Sequence, residues 1–312
     1  MNGLSKGSVQ WIDVGESAEG QRIDNFLAKT LKGVPRSHIY RILRSGEVRV
    51  NSGRVNATYR LSRGDRVRVP PVRVSFSAPR PAKGASWLED AVLFEDEWLL
   101  AVNKPAGLAV HGGSGVSLGV IEQLRQERPN QPFLELVHRL DRETSGTLLL
   151  AKQRRALTNV HAQLRHGEVS KRYLALVLGE WTQRQLTARL PLRKFVSGGG
   201  DRRVVVDAEE GVAAVTVFKK LGHYNGLSLL EADLKTGRTH QIRVHLSHLG
   251  FPIAGDDKYG DFAANKALEK QGLKRMFLHA FSLTLKHPAT SERLHIEAAL
   301  PTELDQFLKS KQ

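Results

Sequence analysis

Residues 72–87, VRVSFSAPRPAKGASW, are rich in proline, serine and basic side chains and hold neither a helical nor a strand period for long. A stretch like this cannot bury a continuous apolar face, so it reads as a linker that divides the chain in two. It leaves a small unit over 10–71 and a larger one over 88–312. Each half must then close its own core. The 312 residues and 40% apolar content are enough for both.

In the smaller unit, QRIDNFLAKTL sets Ile23, Phe26, Leu27 and Leu31 at helical spacing. SHIYRILRSG sets Ile39, Ile42 and Leu43 on one face and stops at Gly46, with Pro35 and Ser37 fitting its start. EVRVN and DRVRVPP alternate in period two and read as short strands. The unit is a small α/β fold. Between Arg22 and Arg68 it carries 12 basic and 3 acidic residues, a net +9. Arg41 and Arg44 lie off the apolar face of the second helix, with Arg36 near its start. A surface made only for solubility interleaves both signs. This one has the charge of a phosphate-tracking surface.

The larger unit has many strand-like stretches: AVLFEDEWLLAVNKP, LELVHRL, GTLLLAK, KRYLALVLG, AAVTVFKKLG, LSLLEADLKTG and IRVHLSHLG. Helical patterns are fewer: about 117–128, RRALTNVHAQLRHG and 304–311. The fold class is α+β, built on a large, mainly antiparallel sheet.

The whole chain carries +15 and a pI near 10.2, which favours a polyanionic partner. It has no cysteine, so disulfides, thiolate nucleophiles and cysteine–zinc sites are excluded. No apolar run approaches the ~20 residues that span a bilayer. The first ten residues lack the apolar core of a secretion signal. A cytoplasmic, monomeric protein with no membrane partner is expected.

Two segments are dense in reactive side chains. In LVHRLDRETSG, residues 136–146, an apolar run ends on Asp141 between Arg139 and Arg142. Loops between strands display functional groups, and flanking arginines favour an ionised carboxylate. Asp141 reads either as a nucleophile or base or as a structural ion pair at a strand end. TGRTHQIRVHLSHLG, residues 236–250, gathers Arg238, His240, Gln241, Arg243, His245 and His248. His240 and His245 share neither a helix face nor a strand face, and no HExxH pattern is present, so no metal site is expected. The cluster reads as donors for phosphate and ribose, or as an ordinary polar sheet edge. Tyr173 in SKRYLALVLG is either core or a stacking ring for a base. NKPAGLAVHGGSG, residues 103–115, is glycine-rich but is neither a P-loop nor GxGxxG, so no nucleotide cofactor is expected.

Two resemblances join these signals. QRIDNFLAKTL…VPRSHIYRILRSGEVRVNSGRV resembles the S-four-like (alpha-L) RNA-binding module, most specifically in Gly46 to Asn51. HRLDRETSG, with NKPAG…VHGG before it and KRYLALVLG and TGRTHQIRVHLSHLGFPIAGDDKYG after it, resembles the RluA-type RNA pseudouridine synthases over about 88–300. Residues 194–211 match least. The resemblance implies a catalytic domain with a central active-site cleft in its sheet. It implies Asp141 as essential nucleophile or base, Tyr173 packed on the target uracil, and Arg243 as the basic partner of Asp141. Arg139, Arg238, His240 and Ile242 would contact substrate, and Arg22, Arg36, Arg41, Arg44 and Asn51 would contact RNA. The partner implied is large-subunit (23S-type) ribosomal RNA, with no cofactor. GDDKYG, residues 255–260, reads as a turn beside the sheet. The rival readings are a non-catalytic RNA-binding or ribosome-assembly protein and a metal-dependent nuclease or phosphatase using Asp141, Asp256, Asp257 and histidines.

Overall fold

The computed structural model describes residues 9–31, 34, 36–71, 88, 90–112, 118–196 and 202–311, apart from the side chains of residues 36, 37 and 202. The linker reading of 72–87, Pro35 and the Ser37 side chain at the helix start, and the end of the glycine-rich segment at 113–115 lie outside what is described. Two compact units divide the chain, Met1–Lys83 and Gly84–Gln312.

The first unit contains β1 (Gln10–Asp13), α1 (Ile23–Thr30), α2 (Arg36–Arg44), β2 (Arg49–Val50), β3 (Gly53–Arg54) and β4 (Arg66–Val69). The strands form an antiparallel sheet in the order β1–β4–β2–β3. The helices form where the apolar spacing demands them. Ile23, Phe26 and Leu27 of α1 and Ile39, Ile42 and Leu43 of α2 close one core against Val50, Val67 and Val69. Gly46, at φ +73°, carries the chain out of α2 in a backbone region that L side chains avoid.

The second unit contains β5 (Val92–Glu95), β6 (Leu99–Lys104), α3 (Val120–Glu127), β7 (Glu135–Leu136), β8 (Ser145–Ala151), α4 (Arg154–His166), β9 (Ser170–Leu178), β10 (Gln185–Arg189), β11 (Leu192–Val196), β12 (Arg202–Val206), β13 (Val215–Tyr224), β14 (Leu227–Leu234), α5 (Gln241–His248), α6 (Phe262–Lys270), β15 (Leu278–Lys286), β16 (Arg293–Glu297) and α7 (Thr302–Lys309). Its main sheet runs β10–β13–β14–β9–β15–β8–β6–β5, with β16 beside β15 and β7 beside β8. Strands β11 and β12 form a separate hairpin.

Every pairing in the main sheet is antiparallel except β8 with β15. That junction has only two register pairs, His279 with Ser145 and Ala280 with Gly146. Beyond it the sheet divides: β8 continues beside β6, and β15 beside β16. The junction needs a glycine. A Cβ on Gly146, at φ +111°, would lie 2.2 Å from the Ala280 carbonyl oxygen.

Both faces of the central strands are covered. Leu100, Val102, Leu148 and Leu150 point into one core with Tyr173, Ala175 and Ile242. Leu99, Ala101, Leu149 and Ala151 point into another with Ala156 and Val160 of α4. This explains why LLAV and TLLLA are apolar throughout and do not alternate.

Two expectations change. IRVHLSHLG is the helix α5, not a strand. Gln241 to Leu246 are all buried, so the segment has no polar face to reveal a period of 3.6, and its Ile and Val favour a strand reading. LELVHRL pairs as a strand only over Glu135–Leu136. Helix α6, Phe262–Lys270, adds to the helices the sequence pattern indicates.

Candidate active site

Asp141 stands in the loop between β7 and β8, and the local sequence explains why the chain turns there. The Val137 N–H donates to the Leu149 carbonyl at 3.0 Å, the last backbone bond of that pairing. His138 then accepts the Leu149 N–H on Nε2 at 3.1 Å. A side chain takes the acceptor role of the missing carbonyl, so the backbone is free to leave the sheet. Burial, with Lys171 nearby, pulls His138 down to about 4 and keeps it neutral for this bond. Leu140 is buried as an anchor. The Thr144 N–H closes a turn on the Asp141 carbonyl at 3.1 Å.

Lys104, from NKPAG, holds this loop from the other side. It is fully buried, and its Nζ donates to the carbonyls of Pro105, Leu108 and Arg142 at 2.8, 2.9 and 3.1 Å. The Gly107 N–H also donates to the Arg142 carbonyl, and Arg142 Nε returns a bond to the Gly107 carbonyl. Burial lowers Lys104 to about 7, against the fields of Glu143 and Asp141. Three acceptors match the three N–H groups of its ammonium form.

The cation beside Asp141 is neither of its sequence neighbours. Arg142 pairs with Glu143 at 3.3 Å, and Arg139 is exposed at the rim. Arg243, on α5, brings Nη1 to 3.4 Å from Asp141 Oδ2. Its Nε and Nη2 make two 2.7 Å bonds to the carboxylate of Asp256. Asp256 is itself held by the N–H groups of Lys258 and Tyr259 at 2.8 and 3.0 Å. Burial opposes both charges, but the paired partner outweighs it, so Asp256 stays below and Arg243 above the usual range. Arg243 is 5% exposed and Asp141 19%, so the fixed cation is inside and the carboxylate opens to the cavity.

His240 completes the surround. It precedes α5 in a left-handed conformation, φ +53°. Gln241, buried, frames that turn. It accepts from Thr236 Oγ1 and the Arg238 N–H, and it donates to the Val215 carbonyl and Thr216 Oγ1. His240 Nδ1 lies 2.7 Å from the Tyr259 hydroxyl, and that hydroxyl accepts the Val204 N–H at 3.1 Å. In the neutral tautomer with its proton on Nε2, Nδ1 accepts the Tyr259 hydroxyl proton and the Nε2–H lies on the side of Asp141 Oδ2, 3.9 Å away. Burial, assisted by Arg243 and opposed by Asp141, lowers His240 and favours this neutral form.

One cavity is lined by Arg139, Asp141, Tyr173, Arg238, His240, Ile242 and Arg243 together. All seven sequence-predicted catalytic and substrate-contacting residues thus meet in one place. Tyr173 lies on β9 opposite Ala232 and is 7% exposed. Burial and the field of Asp141 raise its phenol, so it is uncharged. Other expectations are corrected. The Gln241 amide and the His245 ring, which bonds Thr216 and the Leu190 carbonyl, are spent on the fold and not on a ligand. GDDKYG is more than a turn, since Asp256 anchors Arg243 and Tyr259 orients His240. Paired carboxylates in a turn gave no hint of that, because their partners are distant in sequence. No group of three or more His, Cys, Asp or Glu suited to a metal ion occurs among the described residues, nor does a helix long and apolar enough to cross a membrane.

In the first unit, Arg41 is 60% exposed and Arg44 borders a groove with Tyr40, Leu43 and Arg54. Arg22 makes a two-pronged pair with Asp24 at 3.2 and 2.7 Å. Asn51 is a turn residue at φ +49°, its amide bonded to Asp65 and to the Arg66 N–H. The side chain of Arg36 is outside the described residues.

A carboxylate held by a buried arginine, with a neutral phenol lining the same cavity, suits nucleophilic or general-base chemistry. Residues 98–248 match the family model for RNA pseudouridylate synthase, and residues 21–67 match that for the S4 domain. The chain belongs to the RNA pseudouridylate synthase family and is an isomerase with an S4 domain at its N-terminal side. It is 52% identical to ribosomal large subunit pseudouridine synthase C of Pasteurella multocida over 305 residues, covering 96% of this chain and 93% of that protein. It is 49% identical to the protein of that name from Escherichia coli K12, covering 97% and 96%. Among solved structures, human RNA pseudouridylate synthase domain containing 4 aligns with a TM-score of 0.58 at 28% identity, over 71% of this chain and 93% of that one.

Proposed function

We propose that this chain converts uridine to pseudouridine at particular sites in large-subunit ribosomal RNA, with Asp141 as the nucleophile or base. The observation that supports the assignment of roles is the 3.4 Å approach of Arg243 Nη1 to Asp141 Oδ2, in a cavity also lined by Tyr173. The reaction breaks the bond from uracil N1 to ribose C1′ and forms one from C5 to C1′. A proton leaves C5 and a proton arrives at N1, so no oxidant, reductant or nucleotide is consumed.

Asp141 acts as a carboxylate, by attack on the ribose or by removal of a ribose proton. Arg243, 3.4 Å away, holds it aimed and offers positive charge beside it. Tyr173 packs on the detached uracil, and its hydroxyl handles the C5 proton. Arg139, exposed at the rim, helps extrude the base, since chemistry on a base requires it to leave its stack. Arg238, His240 and Ile242 hold the nucleotide. The first unit supplies affinity for RNA through Arg41 and Arg44. The protein works as a monomer in the cytoplasm, without metal or cofactor.

The test is pseudouridine mapping on unmodified large-subunit rRNA incubated with the parent chain and with Asp141→Asn. New pseudouridine with the parent and none with the variant is expected, with RNA binding retained by both. Binding by the parent without any modification of rRNA from a strain lacking this protein would overturn the reading in favour of a non-catalytic assembly factor.

A further inference from the structure

The sheet of the first unit has a second face. Ile12, Val67 and Val50 share one register row across β1, β4 and β2 and point into the core. The adjacent row is Trp11 opposite Arg68, Arg68 opposite Arg49, and Arg49 opposite Arg54. Residues directly opposite in antiparallel strands share a face. One tryptophan and three arginines therefore form an unbroken outward row across all four strands, about 14 Å wide at the usual strand spacing.

The row is basic and is not neutralised by its own fold. Arg68 donates to the Glu47 carbonyl at 2.7 Å, and Arg49 to the carbonyls of Gly46 and Ser52 at 3.3 and 3.5 Å. These are backbone acceptors, not carboxylates. In the next row Arg66 lies 3.7 Å from Asp13 and sets its guanidinium 5.1 Å over the Trp11 ring. Four arginines thus face one aspartate. Like charges placed opposite one another on a sheet cost stability, and a polyanion removes that cost. Trp11 is 43% exposed on an edge strand, a large apolar surface left open to solvent. It also precedes residues 21–67, the segment matched by the S4 model. At the other end of the row, Arg54 borders the groove of Tyr40, Leu43 and Arg44, so the row continues onto the α2 face.

We infer that this outward sheet face, from Trp11 to Arg54, binds an unpaired segment of RNA, its arginines on successive phosphates and Trp11 stacked on a base. The inference rests on the reading of the chain as an RNA-modifying enzyme and adds a surface to it. A duplex would satisfy the arginines but offers no open base to the indole.

The probes are a 12-nucleotide oligouridylate and a 12-base-pair RNA duplex, titrated against the full-length chain over a salt series. Arg49→Ala/Arg68→Ala should lower the slope of log affinity against log salt for oligouridylate by about 1.4, from two lost phosphate contacts. Trp11→Ala should weaken oligouridylate binding about 5- to 100-fold and leave duplex binding unchanged. Trp11 is the only tryptophan among residues 1–83. Oligouridylate should quench the parent's emission, and Trp11→Phe should remove that part of the quenching while retaining most of the affinity. Parent-like slope, affinity and quenching in the variants would overturn the inference. So would equal losses on both probes in Trp11→Ala, which would mark a general phosphate patch. Synthase activity at saturating protein separates the two readings. An active parent with parent-like binding in the variants would overturn only this surface. A parent inactive on rRNA whose oligouridylate binding still depends on the row would overturn only the catalytic assignment.

Discussion

Arg243 gives two of its nitrogens to Asp256, each at 2.7 Å, and presents the third to Asp141 at 3.4 Å. Asp256 therefore sets the plane and reach of the guanidinium that Asp141 meets. Asp256→Asn replaces one acceptor with an N–H group that faces another donor, so Arg243 should tilt. A displacement of about 1 Å at a reacting group costs on the order of 100-fold in rate. Single-turnover kinetics should show that loss in the chemical step, with RNA affinity unchanged. The variant should also melt earlier, because opening a buried ion pair costs about 3–5 kcal/mol. A parent-like chemical rate measured well below the melting temperature would limit Asp256 to a role in stability.

Tyr173 offers two separable features, a ring and a hydroxyl. Tyr173→Phe keeps the ring, so substrate affinity should stay near that of the parent. Loss of a proton-handling group should lower kcat roughly 100- to 10,000-fold. Burial and the Asp141 field hold the phenol above its ordinary range. The parent's rate should therefore show no descending limb from Tyr173 up to about pH 10. A pH–rate series on both proteins checks this.

These relationships were legible in the sequence to different depths. The helices of the first unit show because each has one apolar stripe and one solvated face. Asp141 shows because an apolar run stops on it. Its pairing with Arg243 spans 102 residues, so local spacing could not reveal it, and only the family resemblance pointed there. The flanking arginines suggested the wrong partners, because proximity in sequence says nothing about where a loop aims its side chains. Helix α5 looks like a strand in the sequence because Gln241 to Leu246 are all buried and period has no contrast to act on. RVRV in β4 announces a strand, but only the register with β1 and β2 puts Arg68 between Trp11 and Arg49.

Gly146 is required by the junction that joins the halves of the large sheet. In Gly146→Ala the new Cβ would meet the Ala280 carbonyl oxygen at 2.2 Å and its carbon at 2.7 Å, with φ at +111°. Backbone would have to move, and the β8–β15 pairing has only two register pairs to absorb the shift. A loss of at least about 2 kcal/mol is expected in urea denaturation. Because Ser145 and Gly146 directly follow the Asp141 loop, residual activity should fall further than the folded fraction does.

His279, wholly buried at the same junction, gives the fold a defined acid limit. Its Nδ1 lies 2.9 Å from Ser145 Oγ and its Nε2 lies 3.0 Å from the Ala298 carbonyl. Arg275 Nη2 donates to Ser145 Oγ at 2.7 Å, so the serine proton goes to Nδ1 and the imidazole donates from Nε2. The ring is satisfied only when neutral. Burial, against the Ala298 carbonyl, lowers it from the ordinary 6.5 to about 4. The unfolded chain then binds the proton first as pH falls. Stability from this residue is present in full above about pH 6.5 and is lost as pH drops towards 4. The shift corresponds to roughly 3 kcal/mol at most. His279→Gln, which can bond the same two partners without titrating, should be less stable at pH 7 but should show a flatter decline between pH 6.5 and 4. Urea midpoints measured across that range test it, and parallel curves for parent and variant would assign the acid sensitivity to other groups.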